Sequence, residues 1–198
     1  MISENFIYVG AVLTLIGSLD YVINTLKGKT KPNRVTWFLW ALAPLIAFGV
    51  QLDEGVGLVA LMTFMVGFGP LMVFIASFVN KKSYWKITKF DLICGLLSCL
   101  GLLLWLILQE GNVAIAMTIL ADGLAALPTV LKSYREPRTE SYLAFLLSSI
   151  NAIITLLAVK MWDFTHVGFP IYILTVCTLL FVLIRFELGP KLSKYRSI

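Results

Sequence analysis

The amino-acid sequence predicts an all-α membrane protein. Seven transmembrane helices are expected, as two parallel three-helix bundles joined by a linker helix, with the N-terminus outside and the C-terminus inside. Three observations predict it. First, 59% of the 198 residues are hydrophobic, 14% are charged and mean hydropathy is +0.90, against roughly 45–50% apolar and 25% charged in soluble domains. Second, apolar runs long enough to cross a hydrocarbon layer of about 30 Å recur seven times. Third, basic residues gather in alternate connecting segments. This composition excludes a soluble globular domain, and the near-average Gly and Pro usage with 13% aromatics excludes a disordered or collagen-like chain.

The first run, Phe6 to Leu26, is preceded by Glu4 and by no basic segment, and no small-residue cleavage site follows it. It is therefore expected as a retained helix, not a signal peptide. The second run, Val35 to Leu52, is followed so closely by the third, Gly55 to Val79, that the two are expected to form a tight hairpin. The remaining runs are Phe90 to Leu108, Val113 to Leu131, Tyr142 to Val159 and Val167 to Ile184. Pro44, Pro70 and Pro128 fall inside helices two, three and five, whereas Pro170 is expected in the first turn of helix seven, where it costs little. Pro44 and Pro128 lie at near-equivalent depth and read either as static kinks or as hinges.

Orientation follows from charge. Lys27, Lys29, Lys31 and Arg34 follow helix one, and Lys81, Lys82, Lys86 and Lys89 follow helix three. Lys132, Arg135 and Arg138 follow helix five, and Arg185, Lys191, Lys194 and Arg196 close the chain. Fifteen of the 16 basic residues thus occupy one face, with Lys160 on the other beside Asp53, Glu54, Glu110 and Asp163. Short basic loops stay on the cytoplasmic side, so these runs are read as topogenic signals. Cys94, Cys99 and Cys177 all lie in apolar runs and read as small core residues, not as a disulfide framework or metal site.

An internal repeat organises the helices. Shifted by 105 residues, Thr25-Leu26-Lys27 falls on Val130-Leu131-Lys132, Pro32 on Pro137 and Thr36-Trp37 on Ser141-Tyr142. Between positions 19 and 47 the identities are Leu19, Leu26, Lys27, Pro32, Leu42 and Ala47. The same shift superposes helices one, two and three on five, six and seven, leaving helix four unpaired. Four crossings separate the mates, so both bundles have one orientation, related by an axis along the membrane normal. The expected units are 1–80 for the first bundle, 81–111 for the linker helix, and 112–198 for the second bundle with a short basic tail.

On this plan the chain resembles the SWEET and PQ-loop superfamily of sugar, amino-acid and vitamin transporters. Pro128-Thr129 stands where the family places its Pro-Gln dipeptide in the second bundle, and Ile23-Asn24 stands there in the first. Of the four helix prolines that SWEET proteins carry, Pro128 and Pro44 fill two places, while Ile23 and Ser149 occupy the others. The resemblance implies hinges on helices two and five. The family's pocket asparagines have no counterpart in helices three and seven, so the residues do not point to a sugar.

Two ionisable residues lie within the spans, Asp122 near the middle of helix five and Asp20 nearer the basic end of helix one. A charge at the bilayer centre costs several kcal/mol and is normally retained for a task. The repeat mate of Asp122 is Gly17, one turn from Asp20, so both acids are expected to face one central cavity. Without a Lys or Arg at comparable depth, each acid either carries a proton, pairs with a cation, or is held in packing by Ser, Thr or Tyr. Asn24 and Asn151, the latter preceded by Ser148 and Ser149, read as solute contacts or as interhelical hydrogen bonds. Trp37 and Tyr142 are expected as interface anchors, whereas Trp40 and Phe145 are deep enough to stack on a solute or gate it. His166 stands alone at the outer end of helix seven and is not read as a ligand.

Paired histidines, a phosphate-binding Gly-Lys-Ser/Thr loop and a lysine in the last span are all missing, which argues against a metalloprotease, a nucleotide hydrolase and a retinal protein. No enzyme activity, cofactor, metal or nucleic-acid partner is expected. The expected function is alternating-access transport of a small polar solute of the sugar, amino-acid, amine or vitamin class, with Asp122 and Asp20 either coupling it to protons or compensating the charge of the solute. The rival readings are a ligand-binding receptor or sorting protein, as the related KDEL receptors are, and a structural membrane subunit. The expected setting is the plasma or inner membrane. One chain suffices for a pathway, and a homo-oligomer stays open.

Overall fold

The computed structural model describes residues 2–3, 5–53, 59–108, 111–159 and 162–196. Glu4, Glu54, Gly55, Glu110 and Lys160 lie outside the described residues, as does the side chain of His166. The described chain is all-helical, with no β-strand. Its helices are α1 (Phe6–Leu26), α2 (Arg34–Asp53), α3 (Val59–Ala76), α4 (Lys89–Leu108), α5 (Gly111–Arg135), α6 (Tyr142–Ala158), α7 (Phe164–Arg185) and α8 (Leu188–Arg196). Each of the seven apolar runs contains one helix.

Three boundaries differ from expectation. Helix α5 continues four residues beyond the apolar run, through Lys132 to Arg135, because Lys132 is buried in protein and not held in water. Helix α7 starts at Phe164, so Pro170 lies in its second turn, inside the helix, and not in its first. The basic tail is not irregular: after Glu187, which turns the chain with φ 50, it forms α8.

The helix starts on the basic side carry local signals that explain their positions. Asn33 Oδ1 accepts from the backbone N–H groups of Val35 and Thr36 at 3.1 and 3.4 Å, capping α2. Thr88 and Asp91 form a reciprocal capping box on α4. The Thr88 N–H donates to Asp91 Oδ2 at 2.6 Å and the Asp91 N–H to Thr88 Oγ1 at 3.3 Å. Asn33 Nδ2 then donates to Asp91 Oδ1 at 3.0 Å, tying one cap to the other.

In the tertiary packing, α3 lies against both α1 and α2, and α7 against both α5 and α6. Helix α1 also packs on α6, α2 on α5, and α4 on α2 and α5. Exchanging α1 with α5, α2 with α6 and α3 with α7 leaves every pair among these seven helices unchanged except those of α4. The α1–α6 seam is a close approach, because Gly10 and Gly17 face it. A Cβ added at Gly17 would stand 3.0 Å from Ala144 Cα, and one added at Gly10 would overlap Asn151 Oδ1. Small residues that bring backbones together are the usual device where lipid removes any hydrophobic drive between helices.

Polarity is reversed relative to a soluble bundle. Thr25, Asn33, Thr36, Ser77, Ser98, Thr129 and Ser133 are buried, whereas Leu92, Ile93, Leu96, Leu100, Leu103 and Ile107 of α4 are exposed. Val9, Val12, Ile16, Leu19 and Ile23 form a second exposed apolar stripe on α1. Contiguous apolar surface on this scale marks contact with lipid or partners. Among the described residues, two helices, α1 and Val167–Arg185 of α7, are long and apolar enough to cross a membrane.

Candidate functional site

One cavity of about 90 Å³ lies between the helices, room for about three waters. Six helices wall it: α1 through Thr14 and Ser18, α2 through Trp37 and Trp40, α3 through Val66 and Pro70, α5 through Asp122, α6 through Phe145, Ser148 and Asn151, and α7 through Ile173 and Cys177. Helix α4 contributes none of the lining residues.

Asp122 is the charged residue of this wall. The Tyr172 hydroxyl on α7 donates to Asp122 Oδ2 at 2.5 Å, joining α5 to α7. The Trp40 indole N–H lies beside the same carboxylate without closing a hydrogen bond to it. Trp40 packs edge-on against Trp37 at 5.4 Å and against Phe145 at 6.2 Å between ring centroids, and the Trp37 and Phe145 centroids are 6.3 Å apart. Three rings from α2 and α6 thus line the same chamber as Asp122. Asn151 lines it too, yet its amide serves the α1–α6 seam: Nδ2 donates to Thr14 Oγ1 at 3.0 Å, and Thr14 Oγ1 donates to the Gly10 carbonyl at 3.0 Å.

Four of the residues singled out by sequence therefore meet: Asp122, Asn151, Trp40 and Phe145. Asp20 and Asn24 do not join them, against the expectation that both acids face one cavity. Asp20 Oδ2 accepts from Ser141 Oγ at 2.5 Å and from Asn24 Nδ2 at 3.1 Å. The start of α6 sits beside this turn of α1 and supplies the donor, so Asp20 is held by packing. Trp37 is no interface anchor, being buried at 5% exposure against Tyr21, 4.5 Å away. Tyr142 is exposed, with the Arg185 guanidinium 5.5 Å from its ring centroid. Pro44 and Pro128 are buried inside helices that continue past them, and Pro70, not they, reaches the cavity.

Beyond Trp37, towards the basic end, lies a polar layer that the sequence reading missed. Lys132 Nζ forms an ion pair with Glu140 Oε1 at 2.5 Å, both side chains being at most 1% exposed. Nζ also donates to the Lys31 carbonyl and stands 4.8 Å from the Trp85 ring centroid. The Tyr21 hydroxyl donates to the other Glu140 oxygen. The Lys31 N–H donates to the Thr139 carbonyl at 2.9 Å. The layer joins α1 and the α1–α2 connection to α5 and the α5–α6 connection. Lys132 is thus held in protein and not in water, and Arg34 bonds Ser77 and stacks 4.1 Å from the Phe78 ring centroid.

Repeat comparison could not expose this layer. Lys27 matches Lys132 in type but is exposed, and the mate of Glu140 is Val35. Tyr172 escaped as well, because its mate is Gly67. The available signal was an acid, Glu140, immediately before an apolar run that begins with Ser141-Tyr142.

A second ion pair lies outside the helical core. Arg138 Nε donates to Glu187 Oε1 at 3.0 Å and Nη2 to Oε2 at 3.2 Å. This hydrogen bonding holds the Glu187 carboxyl below its ordinary value and the Arg138 guanidinium above its own. A carboxyl depressed on folding contributes stability above its unfolded value of about 4.3, lost as pH falls through the folded value. We expect Arg138→Gln to return the Glu187 titration, followed by NMR, to the ordinary range. An unchanged midpoint would contradict the pair. Both groups are exposed, so the effect on stability is small.

No family model, curated protein or solved structure matches the chain. The reading of its function rests on the geometry above.

Proposed function

We propose that the chain is a seven-crossing membrane protein on the SWEET and PQ-loop plan, transporting a small polar solute by alternating access. The observation that carries the proposal is the cavity itself: six helices, three from each half of the repeat, converge on it, while α4 stays outside. Binding sites at the interface of two repeats are the recurring arrangement of transporters that rock one bundle against the other. Apolar exposed faces with polar side chains inside support placement in a bilayer.

Asp122 provides the site's charge, and Trp40, Phe145 and Trp37 provide flat apolar contacts. The aromatic pair Trp37–Tyr21 and the Lys132–Glu140 layer close the path towards the basic, cytoplasmic end. Opening that side requires the layer to part, with bending at Pro44 and Pro128 as the proposed hinges.

Reconstitution into proteoliposomes with a luminal pH dye tests this reading. Saturable uptake accompanied by a luminal pH change is expected, and Asp122→Asn is expected to abolish the pH change and to lower uptake about a hundredfold or more. Uptake and proton movement unaltered by that substitution would remove Asp122 from the mechanism. Ligand binding without any flux would favour a receptor.

A further inference from the structure

We infer that the central cavity selects a small organic ammonium ion, a deepening that rests on the cavity being the solute site. Its wall sets a carboxylate beside aromatic rings and contains no cation. Asp122 contributes a carboxylate, and no Lys, Arg or His is among the lining residues. Neither ion pair among the described residues involves Asp122.

The aromatic cluster chooses among cations. Trp40, Trp37 and Phe145 present π-systems whose centroids lie 5.4 to 6.3 Å apart, and such faces attract alkylammonium groups once water is excluded. A sodium ion would instead need a shell of five or six oxygens, which rings do not supply. The small volume of about 90 Å³ favours a compact head group. Carboxylate and rings together fit an N-methylated or primary ammonium head group.

The test uses the purified full chain in detergent and in proteoliposomes. Methylammonium, trimethylammonium and tetramethylammonium chlorides are titrated against the thermal melting point, with sodium chloride at equal ionic strength and tert-butanol and sorbitol as neutral comparators. Saturable stabilisation by the ammonium series alone is expected. Trp40→Leu should weaken it roughly tenfold while Trp40→Phe retains most of it, and Asp122→Asn should abolish it. Because Asp122→Asn also weakens the bond from Tyr172 and can fail to fold, the Trp40 pair keeps the test decisive. Stabilisation by sorbitol or sodium equal to that by the amines, no stabilisation by any amine, or amine binding indifferent to Trp40 would overturn the assignment. Flux of a neutral solute without amine binding would leave transport standing and sink the ammonium selectivity. Amine binding with no flux would do the reverse.

Discussion

Glu140→Ala is expected to destabilise the protein by about 3–5 kcal/mol, the loss typical when one partner of a buried ion pair is removed. The Lys132 ammonium, now at 1% side-chain exposure, would lose its ion-pair partner and keep the Lys31 carbonyl and the Trp85 ring beside it. For a chain of this length that corresponds to a fall in Tm on the order of 10 °C, measurable by tryptophan fluorescence in detergent. The double substitution Lys132→Met with Glu140→Leu should recover most of the loss, because an apolar pair of similar volume leaves no uncompensated charge. A single substitution that leaves Tm where it was would show that the layer carries no such coupling. The same double variant tests the layer as a gate. With Cys94 and Cys99 replaced by alanine, Cys177 in the cavity wall becomes a reporter. Its thiol should react faster with an impermeant reagent applied from the basic side, and equal rates in both backgrounds would show that the barrier lies elsewhere.

Gly17→Leu should be comparably damaging through a different route. A Cβ at this position would already stand 3.0 Å from Ala144 Cα and 3.4 Å from Ala144 O, and backbone cannot swing aside as a side-chain tip can. Gly17→Ala forces a displacement of a few tenths of an ångström, whereas a leucine must drive α1 from α6 outright. Overpacking of this kind costs about 1–3 kcal/mol and more where backbone is opposed. The functional loss should exceed the loss in stability, because the same two helices carry Thr14, Ser18, Phe145 and Ser148 into the cavity wall. Comparison of Tm with ligand-induced stabilisation across Gly17→Ala and Gly17→Leu separates the two effects. A leucine variant that melts and binds like the parent would mean the seam is not as close as its geometry indicates.

The helices were legible because their signal is local. An apolar run of about 20 residues bounded by charges or turn residues has one low-energy conformation in lipid. The first run coincides with α1 at both ends, Phe6 and Leu26, and the sixth misses α6 by one residue. The repeat shift of 105 was legible for the same reason, since it aligns whole runs, and the helix contacts follow the same exchange of partners. Asp122 stood out because a charge deep in an apolar run is rare wherever that run ends up packed.

Composition and hydropathy alone were enough to establish the helix positions and to single out Asp122. They did not establish which acid reaches the cavity. Asp20 is just as conspicuous along the chain, yet Ser141 claims it, 121 residues away. Nor did they reveal that Lys132 and Glu140 neutralise one another, or that Trp37 turns inward. Those outcomes depend on the rotation of each helix about its own axis and on its depth relative to its neighbours, and both are set by close interlocking such as that of Gly10 and Gly17 against α6. An exposed apolar stripe constrains that rotation only loosely; the fit between helices, which acts across more than 100 residues of chain, settles it.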